Sequence, residues 1–163
     1  MAERLALRSG IGYDSHRFAP GGPLVLGGVR IPSDVHLHGH SDGDAIAHAV
    51  TDAILGAAAL GDIGAMFSDA DSANAGRDSI EMLGLAAARV TAAGWRVGQL
   101  DIVVIAETPR ISAHRDAMRA RIGGAVGVAA DEVSIKGKTN EGMGFVGRGE
   151  GIACLATATL LRV

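Results

Sequence analysis

The sequence predicts a mixed β-sheet with helices packed on one face, an α/β chain of the α+β sandwich type, folded as one domain over residues 1–163. Three observations predict it. Strand-like and helix-like apolar patterns alternate through the middle of the chain. Hairpin chemistry sits near the start instead, which makes the sheet mixed. The chain is 48% hydrophobic but only 3% aromatic, so Ala, Val, Ile and Leu must pack the core.

An early strand is predicted over Ser9 to Phe18, ending at the turn Pro20-Gly21-Gly22-Pro23. Leu24-Val25-Leu26 and Val29-Arg30-Ile31 flank Gly27-Gly28, a hairpin signal. Ser41-Asp42 offer N-caps for a first helix running to about Leu60, with Ile46, Val50, Ala53 and Ala57 as its buried stripe. A second helix begins at Asp78, with Glu81 as its capping-box partner, and stops at Gly94. The run Asp101–Ala106 reads as a buried strand. Ser112 caps a third helix carrying Met118 and Ile122, which Gly123-Gly124 should end. Glu132–Lys136 and Gly151–Leu161 complete the strands.

Composition narrows the functional classes. A net charge of −3 lacks the basic excess that a nucleic-acid binder carries. No apolar run reaches the ~20 residues that cross a bilayer, and Met1-Ala2-Glu3-Arg4 opens no signal-like segment. The single cysteine, Cys154, lies in an apolar strand pattern, which fits a small core residue in a reducing cytosol. A cytoplasmic protein is expected.

Four patches can carry chemistry. Asp14 and His16 stand at i and i+2 on a strand and therefore share a face. His40-Ser41-Asp42-Gly43-Asp44 precedes His48 in the first helix, and one Asp with two His can hold a zinc ion with a fourth position open. Asp44 is a candidate partner for an imidazole N–H. Gly61-Asp62-Ile63-Gly64 and Phe67-Ser68-Asp69-Ala70-Asp71 pair backbone N–H groups with acids. Lys136-Gly137-Lys138-Thr139-Asn140-Glu141-Gly142 supplies cations, a hydroxyl, an amide and a carboxylate just after a strand, suited to a nucleotide diphosphate and its magnesium. Each patch also has a plainer reading as a surface pair, a solvated helix histidine, a helix cap or a turn, and the patterns alone leave both open. Gly147-Arg148-Gly149-Glu150-Gly151 leads into a strand, which rules out P-loop and dinucleotide-binding readings.

Laid end to end, from Gly10-Ile11-Gly12-Tyr13-Asp14-Ser15-His16 through His40–Asp44 and Leu60–Gly64 to Gly147–Ala153, these segments closely resemble the 2-C-methyl-D-erythritol 2,4-cyclodiphosphate synthase family of non-mevalonate isoprenoid biosynthesis. The resemblance implies a homotrimer with active sites between subunits, zinc on Asp14, His16 and His48, and magnesium or manganese on Glu141. It implies a methylerythritol phosphate pocket at His40, Ser41, Asp62, Ile63, Gly64, Phe67, Asp69 and Asp71, continuous with Asp14 and His16. Cytidine and phosphate loops are implied at Ala106, Pro109, Arg110, Ile111 and Ser112, and at Lys138, Thr139, Asn140 and Glu141. His40 and Thr139 match stabilisers of the transition state, and Phe145 and Arg148 match positions near a trimer-axis cavity linked to diphosphate binding. Three positions depart from the family's common residues: Ser68 for Pro, Arg110 for Lys and Gly137 for Ala. The implied reaction is metal-assisted cyclisation with release of CMP, a phosphorus–oxygen lyase activity. Its rivals are a zinc phosphohydrolase and a nucleotide-binding trimer with structural zinc.

Overall fold

The computed structural model describes residues 6–163, so Met1–Leu5, including the opening segment read for a leader, lies outside the described residues. The elements run β1 (Leu7–Pro20), β2 (Leu24–Leu26), β3 (Val29–Ile31), β4 (Val35–Leu37), α1 (Ala45–Ala58), α2 (Ile63–Met66), α3 (Ser79–Ala92), β5 (Trp95–Ile105), α4 (Arg115–Val126), β6 (Val133–Lys138), α5 (Gly144–Gly147) and β7 (Gly151–Arg162). Five strands form one sheet in the order β4-β1-β7-β5-β6, and β2 with β3 forms a separate hairpin. Among the described residues only β5 and β6 pair in parallel, because the crossover between them carries α4. The mixed sheet read from the sequence is present.

Helices α1, α3 and α4 pack on one face, and the core lies between them and the sheet. Along β1, Gly10 and Gly12 face α1. A Cβ on Gly12 would lie 1.8 Å from the Ala49 carbonyl oxygen, so only glycine lets the helix backbone rest on the strand. That contact sets the height of α1 above β1, and Asp14 and His16 follow on the same strand face. The alternate residues Ile11 (68% exposed) and Tyr13 (53%) point the other way. Tyr13 pairs with Leu155 of β7, itself 37% exposed, so apolar side chains lie in register on the helix-free face.

Several boundaries differ from the sequence reading. Ser112 does not cap the third helix but lies in a 3-10 turn over Ile111–Ala113, and α4 begins at Arg115. Strand β5 starts at Trp95 rather than Asp101. Helix α1 starts one turn later than Ser41-Asp42, because the Asp44 carboxylate accepts the Ala47 N–H and Gly43 turns the chain with φ +75°. Gly123 and Gly124 lie inside α4, which ends instead at Gly127 in the left-handed conformation. Gly123 is needed because a Cβ there would sit 2.8 Å from the Val128 carbonyl oxygen as the chain folds back. Asp78 caps α3 through the Ile80 and Glu81 N–H groups, but the Glu81 carboxylate pairs with Arg77 at 2.7 Å, so the capping box is one-sided.

Candidate metal centre and adjoining cavities

Asp14 and His16 from β1 meet His48 from the first turn of α1. The Asp14 Oδ2 atom lies 2.8 Å from His16 Nδ1 and 3.3 Å from His48 Nδ1. One ligand atom from each residue falls within 4.8 Å of the others. The close approach of Asp14 Oδ2 and His16 Nδ1 lacks hydrogen-bond geometry, and both atoms are buried polar atoms left without a hydrogen-bond partner. Buried oxygen and nitrogen atoms with unshared lone pairs that converge at this distance are what a cation site requires. An ion held by these three side chains in tetrahedral geometry would keep one coordination position open.

The other nitrogen of His48 is held from behind. Its Nε2 lies 2.8 Å from Ser79 Oγ and 2.9 Å from Ser41 Oγ. Ser79, fully buried, donates its hydroxyl proton to Asp42 and therefore presents lone pairs to His48. This arrangement puts the His48 proton on Nε2 and leaves the Nδ1 lone pair facing Asp14. Burial alone would lower the His48 pKa, but the Asp14 carboxylate outweighs it and raises the value. Burial pushes Asp14 upward, and its contacts with His16 and His48 more than reverse that, leaving it lowered.

Asp44 does not play the imidazole-partner role expected of it. Its carboxylate accepts the Gly27, Gly28 and Ala47 N–H groups at 2.8, 2.7 and 3.1 Å, capping α1 and stapling the β2–β3 turn to it. Asp42, read as a helix cap, is the carboxylate that reaches His48, through Ser79.

A cavity of about 220 Å³ opens beside this cluster. Its wall includes Asp14, His16, His48, His40, Ser41, Ile63, Gly64, Phe67 and Asp69, together with Asn74 and Met82. Asp62 and Asp71 are not in its wall: each caps a short turn, accepting the Ala65 and Ala73 N–H groups at 2.7 and 3.0 Å. A second cavity of about 320 Å³ is lined by Ala106, Glu107, Pro109, Arg110, Ile111, Ser112, Arg115, Gly137, Lys138 and Thr139. Three of these carry positive charge, and the Arg115 Nε is buried without a partner. Asn140 and Glu141 continue the loop just outside that wall.

Strand register places the two cavities at one end of the sheet. Ser15 pairs with Ala153, Ala153 with Ile105, and Ile105 with Lys138. Three strand spacings separate the Ser15 and Lys138 backbones, about 14 Å. A third, open recess of about 650 Å³ beside Ser15 to Phe18 includes Phe145 and Glu150, and Arg148 reaches Glu150 at 2.7 Å.

Sequence reasoning missed Ser79, Asn74 and Arg115, and took Glu107 only as part of the loop from Ala106 to Ser112. Ser79 reads only as the first residue of a helix, and nothing local signals that α3 carries it against His48. Arg115 was legible as a cation near Pro109, but its unpartnered burial is a tertiary fact.

A sequence profile described as the YgbB family matches residues 7–161. The chain is similar to the 2-C-methyl-D-erythritol 2,4-cyclodiphosphate synthase of Gemmatimonas aurantiaca, 62% identical over 159 residues, covering 98% of this chain and 96% of that protein. It is 50% identical to the synthase of the same name from Erwinia tasmaniensis, covering 96% of this chain and 99% of that protein. Among solved structures it resembles IspF of Plasmodium falciparum in a CDP complex, with TM-score 0.85, 34% identity and coverage of 98% and 99%. The bifunctional IspDF of Campylobacter jejuni matches with TM-score 0.93 and 38% identity over 96% of this chain, which spans 42% of that longer protein.

Proposed function

We propose, from the premise that the chain belongs to the YgbB family, that it converts 4-diphosphocytidyl-2-C-methyl-D-erythritol 2-phosphate to 2-C-methyl-D-erythritol 2,4-cyclodiphosphate and CMP. The observation that carries this reading is the convergence of Asp14, His16 and His48 on one point, beside a cavity lying at the same sheet end as a second, cationic cavity.

The reaction joins two ends of one flexible molecule. The 2-phosphate oxygen forms a bond to the β-phosphorus, the bond from that phosphorus to the α-phosphate oxygen breaks, and CMP leaves with the electron pair. A phosphate monoester with second pKa near ~6 is mostly dianionic at neutral pH, so the nucleophile needs no general base. The absence of a nucleophile–base pair from this reading of the site is therefore consistent with the chemistry. Charge repulsion is the obstacle, and positioning with charge neutralisation is the remedy. A zinc ion on Asp14, His16 and His48 and a magnesium or manganese ion on Glu141 would supply Lewis acidity toward the diphosphate oxygens. Ser41, Ile63, Gly64, Phe67 and Asp69 enclose the methylerythritol phosphate, with Asp62 and Asp71 ordering the turns around it. Arg110, Ser112 and Lys138 receive the nucleotide. His40 and Thr139 donate hydrogen bonds to oxygens whose charge shifts as the ring closes.

In this reading residues 1–163 act as one cytoplasmic domain that assembles as a homotrimer, with the cytidine cavity of one copy completing the metal cavity of the next. Support comes from the helix-free sheet face, where Ile11, Tyr13 and Leu155 stand exposed as a lone chain would leave them. Phe145 and Arg148 then border the recess near the threefold axis, where a diphosphate can bind. No helix among the described residues is long and apolar enough to cross a membrane.

The test is incubation with the CDP-linked substrate in ¹⁸O-water, with and without chelator. Cyclic product free of solvent oxygen, equimolar CMP and loss of both on chelation are expected. An open-chain phosphate carrying solvent oxygen would make the protein a hydrolase.

A further inference from the structure

Strands β5 and β6 run parallel and release their loops side by side at the end of the sheet where ligands of such sheets bind. The pairing continues one step past β5, with the Ala106 N–H donating to the Lys138 carbonyl oxygen at 2.8 Å. Glu107 comes next. Its Oε1 accepts the Asn140 N–H at 2.9 Å and the Gly142 N–H at 3.5 Å. Between those two amides sits Glu141, with φ +53°, one of two non-glycine residues with positive φ among those described. A residue with a side chain holds that conformation only where its surroundings impose it. Successive N–H groups around a left-handed residue form a concavity that favours an anion, and here the anion is the chain's own carboxylate. On the far side the Asn140 amide donates to the Met143 carbonyl oxygen at 2.7 Å and closes the loop. Within the loop the Met143 N–H also donates to the Asn140 carbonyl oxygen at 2.9 Å, while the Thr139 hydroxyl meets the Glu141 N–H and carboxylate at 3.3 and 3.5 Å. None of these contacts ties the loop to β5. Without Glu107, the Asn140 and Gly142 amides lose their carboxylate, and the left-handed turn at Glu141 loses its anchor to β5.

We propose that Glu107 is a positioning residue: by gripping the amides on either side of Glu141, it sets the Thr139–Glu141 loop for the nucleotide diphosphate. The inference rests on the proposed reading of that loop. It assigns Glu107 no contact with the reacting atoms. The side chain works as an acceptor, so an amide oxygen of the same reach should replace it and an isosteric thioether should not.

The experiment compares Glu107→Met and Glu107→Gln with the parent, using full-length protein and CDP with Mg²⁺ as the probe. Calorimetry should show Glu107→Met weakening Mg–CDP binding by about tenfold, the loss expected when a hydrogen bond to a charged group is removed. Glu107→Gln should stay within about threefold of the parent, an amide acceptor being weaker but correctly placed. Thermal melting checks that both variants fold, and a structural role alone would not reproduce the split between them. Glu107→Met within twofold of the parent, or Glu107→Gln as weak as Glu107→Met, overturns the proposal. Should Glu107→Met fail to fold, hydrogen exchange in the parent decides. Protected Asn140 and Gly142 amides support the clamp, and exchange at the rate of a free loop overturns it. A parent that binds Mg–CDP but releases no CMP from the substrate refutes the proposed reaction while leaving the clamp testable.

Discussion

Ser79→Ala should loosen the metal centre without touching a ligand. The serine is fully buried, and its hydroxyl links Asp42 to His48 Nε2 at 2.8 Å. Removing it frees the His48 ring to turn and to adopt the other tautomer, which would aim a proton rather than a lone pair at the Asp14 side. Partners of metal-bound histidines typically govern 10–100-fold in affinity, roughly 1.4–2.8 kcal/mol. Ser41 Oγ remains 2.9 Å from the same nitrogen and can accept part of the load, so the single change belongs at the low end, about tenfold. The double change Ser41→Ala with Ser79→Ala should approach the upper end, about a hundredfold. Stability of the metal-free protein should fall by about 1–2 kcal/mol, because Asp42 loses one donor yet keeps the Ser79 and Asp44 backbone N–H groups. Competition with a chromogenic chelator reads the affinity, and denaturant unfolding reads the stability. Overlapping competition curves for parent and Ser79→Ala would show that the Asp42–Ser79 link does not hold the ligand, and the reasoning would be wrong.

Gly12→Ala should destabilise the fold by about 3 kcal/mol or more and lower metal affinity together, since the new methyl meets the Ala49 carbonyl and lifts α1, carrying His48 from Asp14; denaturant melts unchanged within ~0.5 kcal/mol would refute the close approach. The raised His48 pKa gives a signed pH dependence. Protonated His48 stabilises the chelated protein fully below the free-imidazole value of about 6.5, and this contribution fades as pH rises through the raised value. The parent's stability advantage over His48→Gln in chelator should therefore shrink between pH 6 and pH 8, and an advantage that grows would contradict the Asp14 contact. Metal binding runs the opposite way, strengthening with pH and releasing a proton, measurable by calorimetry in buffers of different ionisation enthalpy. Burial pushes the Cys154 thiol far up, so a thiol-specific reagent should label it only after unfolding. Rapid labelling of native protein would displace Cys154 from the core.

Much of this molecule was legible before any contact was known. The period-two and period-3.6 patterns located the three long helices and most strands, because each element must bury one face whatever it packs against. They missed the short edge strand β4 and the first half of β5. The Asp14–His16 spacing placed two side chains on one strand face by backbone geometry alone. Local signals failed where a side chain serves a distant segment. Asp44 looked like a free acid near a histidine, yet it staples Gly27 and Gly28, seventeen and sixteen residues away, to α1. Gly123-Gly124 looked like a helix stop, yet Gly123 is small to admit the returning chain.

The sequence by itself determined the element types, the apolar faces and the inventory of ligand-type residues, since these depend on chemistry within a few residues along the chain. Tertiary structure alone decided which of those residues meet. Gly10 and Gly12 let α1 settle onto β1, which brings His48 to Asp14, and α3 then carries Ser79 behind the imidazole. Contacts between segments thirty or more positions apart depend on how closely backbones approach, a property of packed surfaces that no local pattern encodes.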